Sequence, residues 1–316
     1  MSIMENQTRV RFVEVSMEHD GQRIDNFLLH QLKGVPRSLI YRILRKGEVR
    51  VNRGRIRPDY RLHSGDQVRI PPLRVAPAPA AAPLPPQRWV ERLTDAVLFE
   101  NEDVLVLDKP PGLAVHKGSG VDFGVIEILR AAQSFPYLEL AHRLDRETSG
   151  CLVLAKTPTA LQALHAALRD GRMDKRYLGL VKGYWRRGAC EVTAPLRKNI
   201  PRGGERRVKV LADGKSASTT FKPVELRKRA SLLEISIATG RTHQIRVHAA
   251  HLEHPLAGDD KYGDPHFNRE MAAIGLRRLF LHAHSVIFPL DRRDIAVSAP
   301  LADELKNVLE YLEAGR

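Results

Sequence analysis

Cysteine is almost missing from this 316-residue chain, with Cys151 and Cys190 its only two. Two thiols cannot form a disulfide framework, and their spacing fits no metal-binding pattern. Cys151 lies in an apolar run, where a small buried thiol is expected. The shortage predicts a reducing compartment. Long apolar runs are lacking too: no stretch approaches the roughly eighteen residues of a spanning helix. The amino-terminal MSIMENQTRVRFVEV has no apolar core of the signal-peptide kind. A soluble, cytoplasmic protein is expected. Acidic residues are in deficit, 37 Asp plus Glu against 51 Lys plus Arg, which leaves +14. That balance concerns polyanion affinity rather than fold. It points to nucleic acid first and an anionic membrane surface second.

What is present suits a globular chain, since 43% of residues are hydrophobic and both charge signs run throughout. One break divides it. Residues 75 to 86, VAPAPAAAPLPP, hold five prolines in twelve positions, and proline removes amide donors and favours extended geometry, so the segment reads as a semi-rigid spacer. The expected organisation is a small domain over 1–74, a Pro/Ala-rich linker over 75–90 and a larger domain over 91–316. The small domain carries fifteen Lys plus Arg and eight Asp plus Glu. Half of the net charge therefore sits in under a quarter of the length.

Within the small domain, Ile24, Phe27, Leu28 and Leu32 recur at helical spacing, as do Leu39, Ile40, Ile43 and Leu44 after a Gly-Val-Pro break. Ser38 is the candidate N-cap of the second helix and Gly47 its stop. EVRVN and QVRIP alternate like short strands, with a turn at Asn52-Arg53-Gly54. Arg37, Arg42, Arg45, Lys46, Arg50 and Arg53, followed by Arg55 and Arg57, cluster on the second helix and the turn with only Glu48 nearby. One such charge reads as a solvated face; eight read as a polyanion contact. The segment from Gly21 to Pro72 resembles an S4 RNA-binding domain, a small α/β module.

In the larger domain, VLVLD predicts a strand feeding the rigid turn Lys109-Pro110-Pro111-Gly112. TPTALQALHAALRDG predicts an amphipathic helix from a Thr cap to Gly171. DKRYLGLVKGYW, SLLEISIATG and RRLFLHAHSVIFPL predict strands, a helix begins near Thr242, and ELKNVLEYLEAG closes the chain as a helix. Strands outnumber irregularly placed helices, so the fold class expected is α+β on a mixed, largely antiparallel sheet.

Three patterns imitate sites. Asp213-Gly214-Lys215-Ser216 lacks the earlier glycine of a phosphate-binding loop, where Lys209 stands. His248, His251 and His254 recur every three residues without a Cys or carboxylate ligand set, so no metal is expected. No Gly-x-Gly-x-x-Gly opens a helix, which argues against a dinucleotide.

HRLDRETSG, residues 142 to 150, is a polar segment pinned between FPYLELA and the apolar CLVLAKT. Polar loops at the rim of a core are where sites lie. Asp145, with His142 and Arg143 beside it, is expected to be ionised and suited to nucleophilic attack. Pairing with an arginine, or capping Thr148-Ser149, explains it equally well from local sequence. GRTHQIRVH supplies a second cationic cluster, with Arg241 at a turn and Arg246 one turn into a helix.

HRLDRETSG matches the HRLDxxTSG signature of the pseudouridine synthases that modify ribosomal and transfer RNA, and the resemblance continues through LDKPPGLAVH, KRYLGLVKG and TGRTHQIRVH. QRIDNFLLHQLKGVPRSLIYRILRKGEVRVN and FGVIEILR are similar to members acting on 23S ribosomal RNA. The resemblance implies isomerisation of specific uridines in that RNA or in a precursor large-subunit particle, without a cofactor, by an expected monomer needing no membrane. It makes Asp145 the catalytic nucleophile, Tyr177 the aromatic that packs on the target base and assists its deprotonation, and Arg246 the cation paired with Asp145. His142, Arg143 and Arg241 become RNA contacts, with local support of the loop an equal reading for the first two. A glycoside-bond hydrolase would need a second carboxylate, for which Glu147 is the local candidate. A non-catalytic RNA-binding protein would leave HRLDRETSG and Tyr177 without a purpose.

Overall fold

The computed structural model describes residues 9–32, 35–73, 85–118, 123–132, 135–199, 207–291 and 293–314. The chain forms two compact units, Met1–Leu84 and Pro85–Arg316. The proline-rich residues 75–84 lie outside the described residues.

The first unit places helices α1 (Ile24–Gln31) and α2 (Arg37–Arg45) with strands β1 (Arg11–Glu14), β2 (Arg50–Val51), β3 (Gly54–Arg55) and β4 (Gln67–Ile70). The sheet runs β1-β4-β2-β3 with antiparallel pairs. Phe27, Leu28 and Leu32 pack with Ile40, Ile43, Leu44, Val68 and Ile70, so the helical periodicity seen in the sequence is the core face. Pro36, not Ser38, is the N-cap of α2, and its side chain makes no capping bond. Proline cannot continue a helix backwards, and it moves the boundary ahead of the hydroxyl. Asn52 and Arg53 both have positive φ, 47° and 68°, as a two-residue hairpin turn demands.

The second unit comprises α3 (Gln87–Thr94), β5 (Val97–Glu100), β6 (Val104–Lys109), α4 (Val125–Ala132), β7 (Glu139–Leu140), β8 (Ser149–Ala155), α5 (Pro158–Arg169) and β9 (Asp174–Lys182). It continues with β10 (Cys190–Thr193), β11 (Leu196–Asn199), β12 (Arg207–Val210), β13 (Ser218–Leu226), β14 (Ala230–Ile237) and α6 (Gln244–His251). α7 (Pro265–Ala273), β15 (Leu281–Leu290), β16 (Arg293–Ser298) and α8 (Asp303–Ala314) complete it. The main sheet is ordered β10-β13-β14-β9-β15-β8-β6-β5, with β16 on β15 and β7 on β8. Only β15 and β8 pair in parallel among the described strands, so the sheet is mixed and largely antiparallel.

Alternation along β6 and β8 sends Leu105, Leu107, Leu152 and Leu154 to one face and Val104, Val106 and Val153 to the other. β8 is buried at every position. α5 starts at Thr157, whose hydroxyl accepts the Ala160 N–H, with Pro158 in its first turn. Gln87–Thr94 is helical and Leu93 enters the core. The last six residues assigned to the linker, 85–90, therefore fall in the second unit, because Pro85-Pro86 punctuates a helix start as well as a spacer.

Candidate active site

The polar segment becomes a loop between β7 and β8, held at both ends. Ala141 donates its N–H to Val153 O at 3.0 Å, and Val153 returns an N–H to His142 Nε2, also at 3.0 Å. Burial pushes the His142 imidazole down to about 3, so the ring is neutral and serves as an acceptor. On the far side of Asp145, Arg146 O accepts from Gly112 N–H at 2.9 Å and from Lys109 Nζ at 3.1 Å. Lys109 is fully buried, and its ammonium also donates to Pro110 O and Leu113 O, at 2.7 and 2.9 Å. Three donors meet three carbonyls. The Lys-Pro-Pro-Gly turn is thus the support of the loop, and Lys109 faces neither ligand nor solvent.

The Ser-Gly that ends the motif is explained by the strand it enters. Gly150 has φ +105°, and a Cβ there would lie 2.3 Å from Ala283 O on β15. Ser149 Oγ bonds His282 Nδ1 at 2.9 Å and accepts from Arg278 at 2.9 Å. The loop is over-determined, and Asp145 projects from it with its side chain 16% exposed.

The basic groups nearest Asp145 are Arg246 of α6 and His243, the N-cap of that helix, not the flanking sequence. Arg246 Nη1 lies 3.9 Å from Asp145 Oδ2 and His243 Nε2 lies 4.0 Å away. Arg246 spends its fork elsewhere: Nε and Nη2 donate to the two oxygens of Asp259 at 2.7 and 2.6 Å, and Nη2 reaches Asp260 at 3.2 Å. Burial alone would lower the guanidinium, but the Asp259 bonds win and hold it above its usual range. Asp259 is held below its own, since the same bonds outweigh its burial. The pairing with Asp145 expected from sequence is therefore an ion pair at contact distance, while the bidentate pairing belongs to Asp259.

His243 and Tyr262 are the residues that sequence reasoning missed. His243 has φ +53° at the start of α6. Its Nδ1 lies 2.9 Å from Tyr262 Oη, which accepts the Val208 N–H at 2.9 Å. Donation of the phenol O–H to Nδ1 would place the imidazole's proton on Nε2, the atom facing Asp145. Burial lowers the imidazole, against the pull of Asp145. His243 was visible inside GRTHQIRVH, whereas nothing local marks Tyr262.

Tyr177, on β9 opposite Ile235 of β14, is buried beside the loop. Burial, with Asp145 adding, raises its phenol well above the ordinary range. It stays protonated, so an apolar ring face and an O–H are what it offers, not a phenolate. Asp145, Tyr177, Ile237, Arg241, His243 and Arg246 line one cleft. Asp145 is the sole carboxylate among its lining residues.

Arg143 and Arg241 line the same cleft and are exposed. Arg241 Nε donates to Ser216 O at 3.2 Å. His142 belongs to the loop's support, with its Nε2 occupied by Val153. Glu147 pairs with Arg146 at 3.5 Å and is absent from the lining. In the first unit, Arg42, Arg45, Lys46, Arg50 and Arg53 are exposed along α2 and the hairpin; the side chain of Arg37 lies outside the described residues. The three histidines of α6 and its end do not converge: His248 bonds Thr219 and Ala194 O, His254 bonds Lys182 O, and His251 is exposed.

One cleft thus brings together a carboxylate, a buried tyrosine and a buried arginine, in a chain that also carries a basic module. A model of the RNA pseudouridylate synthase family matches residues 103–251 and one of the S4 domain matches 22–68. The chain belongs to the RNA pseudouridylate synthase family. It is 51% identical over 312 residues to Ribosomal large subunit pseudouridine synthase C of Escherichia coli (strain K12), covering 97% of this chain and 98% of that one. Identity to the protein of the same name from Yersinia pestis is 50% over 307 residues, covering 96% of each. The fold is shared with Human RNA Pseudouridylate Synthase Domain Containing 4, at a TM-score of 0.60 and 23% identity over 72% of this chain and 96% of that one. Human RNA Pseudouridylate Synthase Domain Containing 1 gives 0.56 and 24%, over 71% and 96%.

Proposed function

We propose that this enzyme, acting as a monomer in the cytoplasm, converts specific uridines of 23S ribosomal RNA to pseudouridine, in free RNA or a precursor particle, with Asp145 as the nucleophile. The observation that carries the site assignment is the placement of Asp145 as the one carboxylate among the cleft's lining residues, on a loop fixed from both sides, against Tyr177, Arg246 and His243. The relatives' names supply the RNA. Among the described residues no helix is long and apolar enough to cross a membrane.

The reaction conserves every atom. The N1–C1′ bond breaks, the base turns, a C5–C1′ bond forms, the proton on C5 leaves and N1 gains one. Attack by the Asp145 carboxylate on C1′ or on C6 satisfies that ledger equally. Neither route moves electrons to an external acceptor, so no cofactor is invoked. The target base must leave its stack to reach the cleft, and a flipped base is received by an aromatic or apolar face. The Tyr177 ring supplies that face, and its protonated state favours packing over proton abstraction. Arg246, fixed by Asp259, and His243, fixed by Tyr262, hold Asp145 in place for its attack on the substrate. Arg143 and Arg241 at the rim suit phosphate contacts.

Incubating an unmodified large-subunit transcript with the enzyme tests this reading. Carbodiimide labelling should appear at discrete uridines with no free uracil. Release of uracil would indicate hydrolysis, although the cleft lacks the second carboxylate that reaction ordinarily needs.

A further inference from the structure

The open face of the first unit's sheet carries one register row that the folding of that unit does not explain. Phe12 on β1 stands opposite Arg69 on β4, Arg69 stands opposite Arg50 on β2, and Arg50 stands opposite Arg55 on β3. Phe12 is 67% exposed, on the opposite face from the buried Val68 and Ile70 side chains of β4. At about 4.8 Å per strand the row spans roughly 14 Å. Like charges directly opposite one another destabilise a sheet, and here three arginines are adjacent. An exposed phenylalanine gains nothing by burial. The row is therefore not there for stability of the sheet.

The arginines are nonetheless held in place. Arg69 Nη1 donates to Glu48 O at 2.9 Å, and Arg50 and Arg55 reach Gly47 O and Lys46 O at 3.5 Å. All three guanidinia thus gather at the carbonyl end of α2, where the helix dipole favours cations. The groove they line with Phe12 also holds Lys46 and Arg53, and Glu48 is its one acid. Glu14, two residues along β1 from Phe12, accepts from Gln67 at 3.3 Å.

We infer that this sheet face is a separate RNA contact that takes unpaired nucleotides, one base stacking on Phe12 while the neighbouring phosphates lie along Arg69, Arg50 and Arg55. Single-stranded segments are recognised by an aromatic platform flanked by cations, and a duplex keeps its base faces inside the stack. The arrangement fits the first, whereas a duplex offers the Phe12 ring no base face to meet. It deepens the functional reading by naming which form of RNA the amino-terminal unit holds, and it rests on RNA being the substrate.

The test uses the full chain, a short single-stranded oligouridylate and a blunt RNA hairpin closed by a non-nucleotide linker so that it has no unpaired base, with affinity measured against salt. Phe12→Leu keeps an apolar side chain but removes the ring, and should weaken oligouridylate binding about tenfold at unchanged salt slope, as loss of one stacked base does. Phe12→Tyr should bind like the parent. Arg69→Gln and Arg50→Gln should each reduce the slope by about 0.7, the value for one phosphate of a single strand. Hairpin affinity should not respond to Phe12→Leu. Equal binding by the parent and Phe12→Leu would overturn the inference, as would an equal loss for hairpin and single strand. Uridine conversion by the parent, measured alongside, separates the two readings: a parent that converts uridine while Phe12→Leu binds normally removes this inference alone.

Discussion

Arg246 commits two edges of its guanidinium to Asp259 and still lies 3.9 Å from Asp145, so a lysine at that position keeps one charge and loses the geometry. Arg246→Lys should lower kcat about a hundredfold, the scale of an ångström-level misplacement at a reacting centre. It should also lower the melting temperature, because Asp259 is left buried with its best partner gone. RNA affinity should change little. Full turnover with an intact fold would contradict this role. His243 is a positioning residue in the same sense, and two amides separate its functions. Asn tolerates positive φ and places its amide where Nδ1 bonds Tyr262; Gln extends its amide to where Nε2 faces Asp145. His243→Gln should retain most of kcat and His243→Asn should lose most of it, with KM unchanged in both. Equal losses, or a loss confined to KM, would make His243 merely a part of the helix start. The Asp145 and Tyr177 positions were legible because a motif carried them. The Arg246–Asp259 pair was not, because its partners are thirteen positions apart and the loop that joins them has no periodic signal.

At the scale of elements, the support of the catalytic loop is built from neutral imidazoles. Burial holds His142 near 3 and His282 near 4, while in the unfolded chain both titrate near 6.5. Below about 6.5 the unfolded chain therefore binds more protons than the folded one, and stability falls as pH drops toward 4. The stability is fully present above 6.5. His142→Gln, whose amide oxygen can accept the Val153 N–H, should flatten that decline in melts taken between pH 7 and pH 4. An unchanged slope would show that His142 does not stay neutral in the fold. Elements with strong periodicity or explicit caps, such as α1 and α5, were legible in sequence. The boundary of α2 was not, because a proline took the cap that Ser38 was expected to fill. α3 was hidden by the proline pair before it. The pair β11 and β12 matters because Val208 bonds Tyr262, yet β11, LRKN, does not alternate and β12, RVKV, is only four residues long, too short to distinguish from loop.

For the whole molecule, separate cores in Met1–Leu84 and Pro85–Arg316 predict that a chain beginning at Pro85 folds alone. It should melt cooperatively, bind RNA more weakly and show a flatter salt dependence, having lost a segment with fifteen basic and eight acidic residues. Aggregation, or undiminished affinity at moderate salt, would contradict it. The two-part organisation was legible because proline composition and charge change together, while the register that joins Phe12 to three arginines exists only in the folded sheet. The central claim is that one carboxylate drives uridine isomerisation, and single-turnover conversion of a large-subunit transcript with excess enzyme measures it most directly. The parent should convert discrete uridines, Glu147→Gln should remain close to it, and Asp145→Asn should convert none while melting normally and binding RNA as well or better. Measurable conversion by a folded Asp145→Asn enzyme would contradict the account.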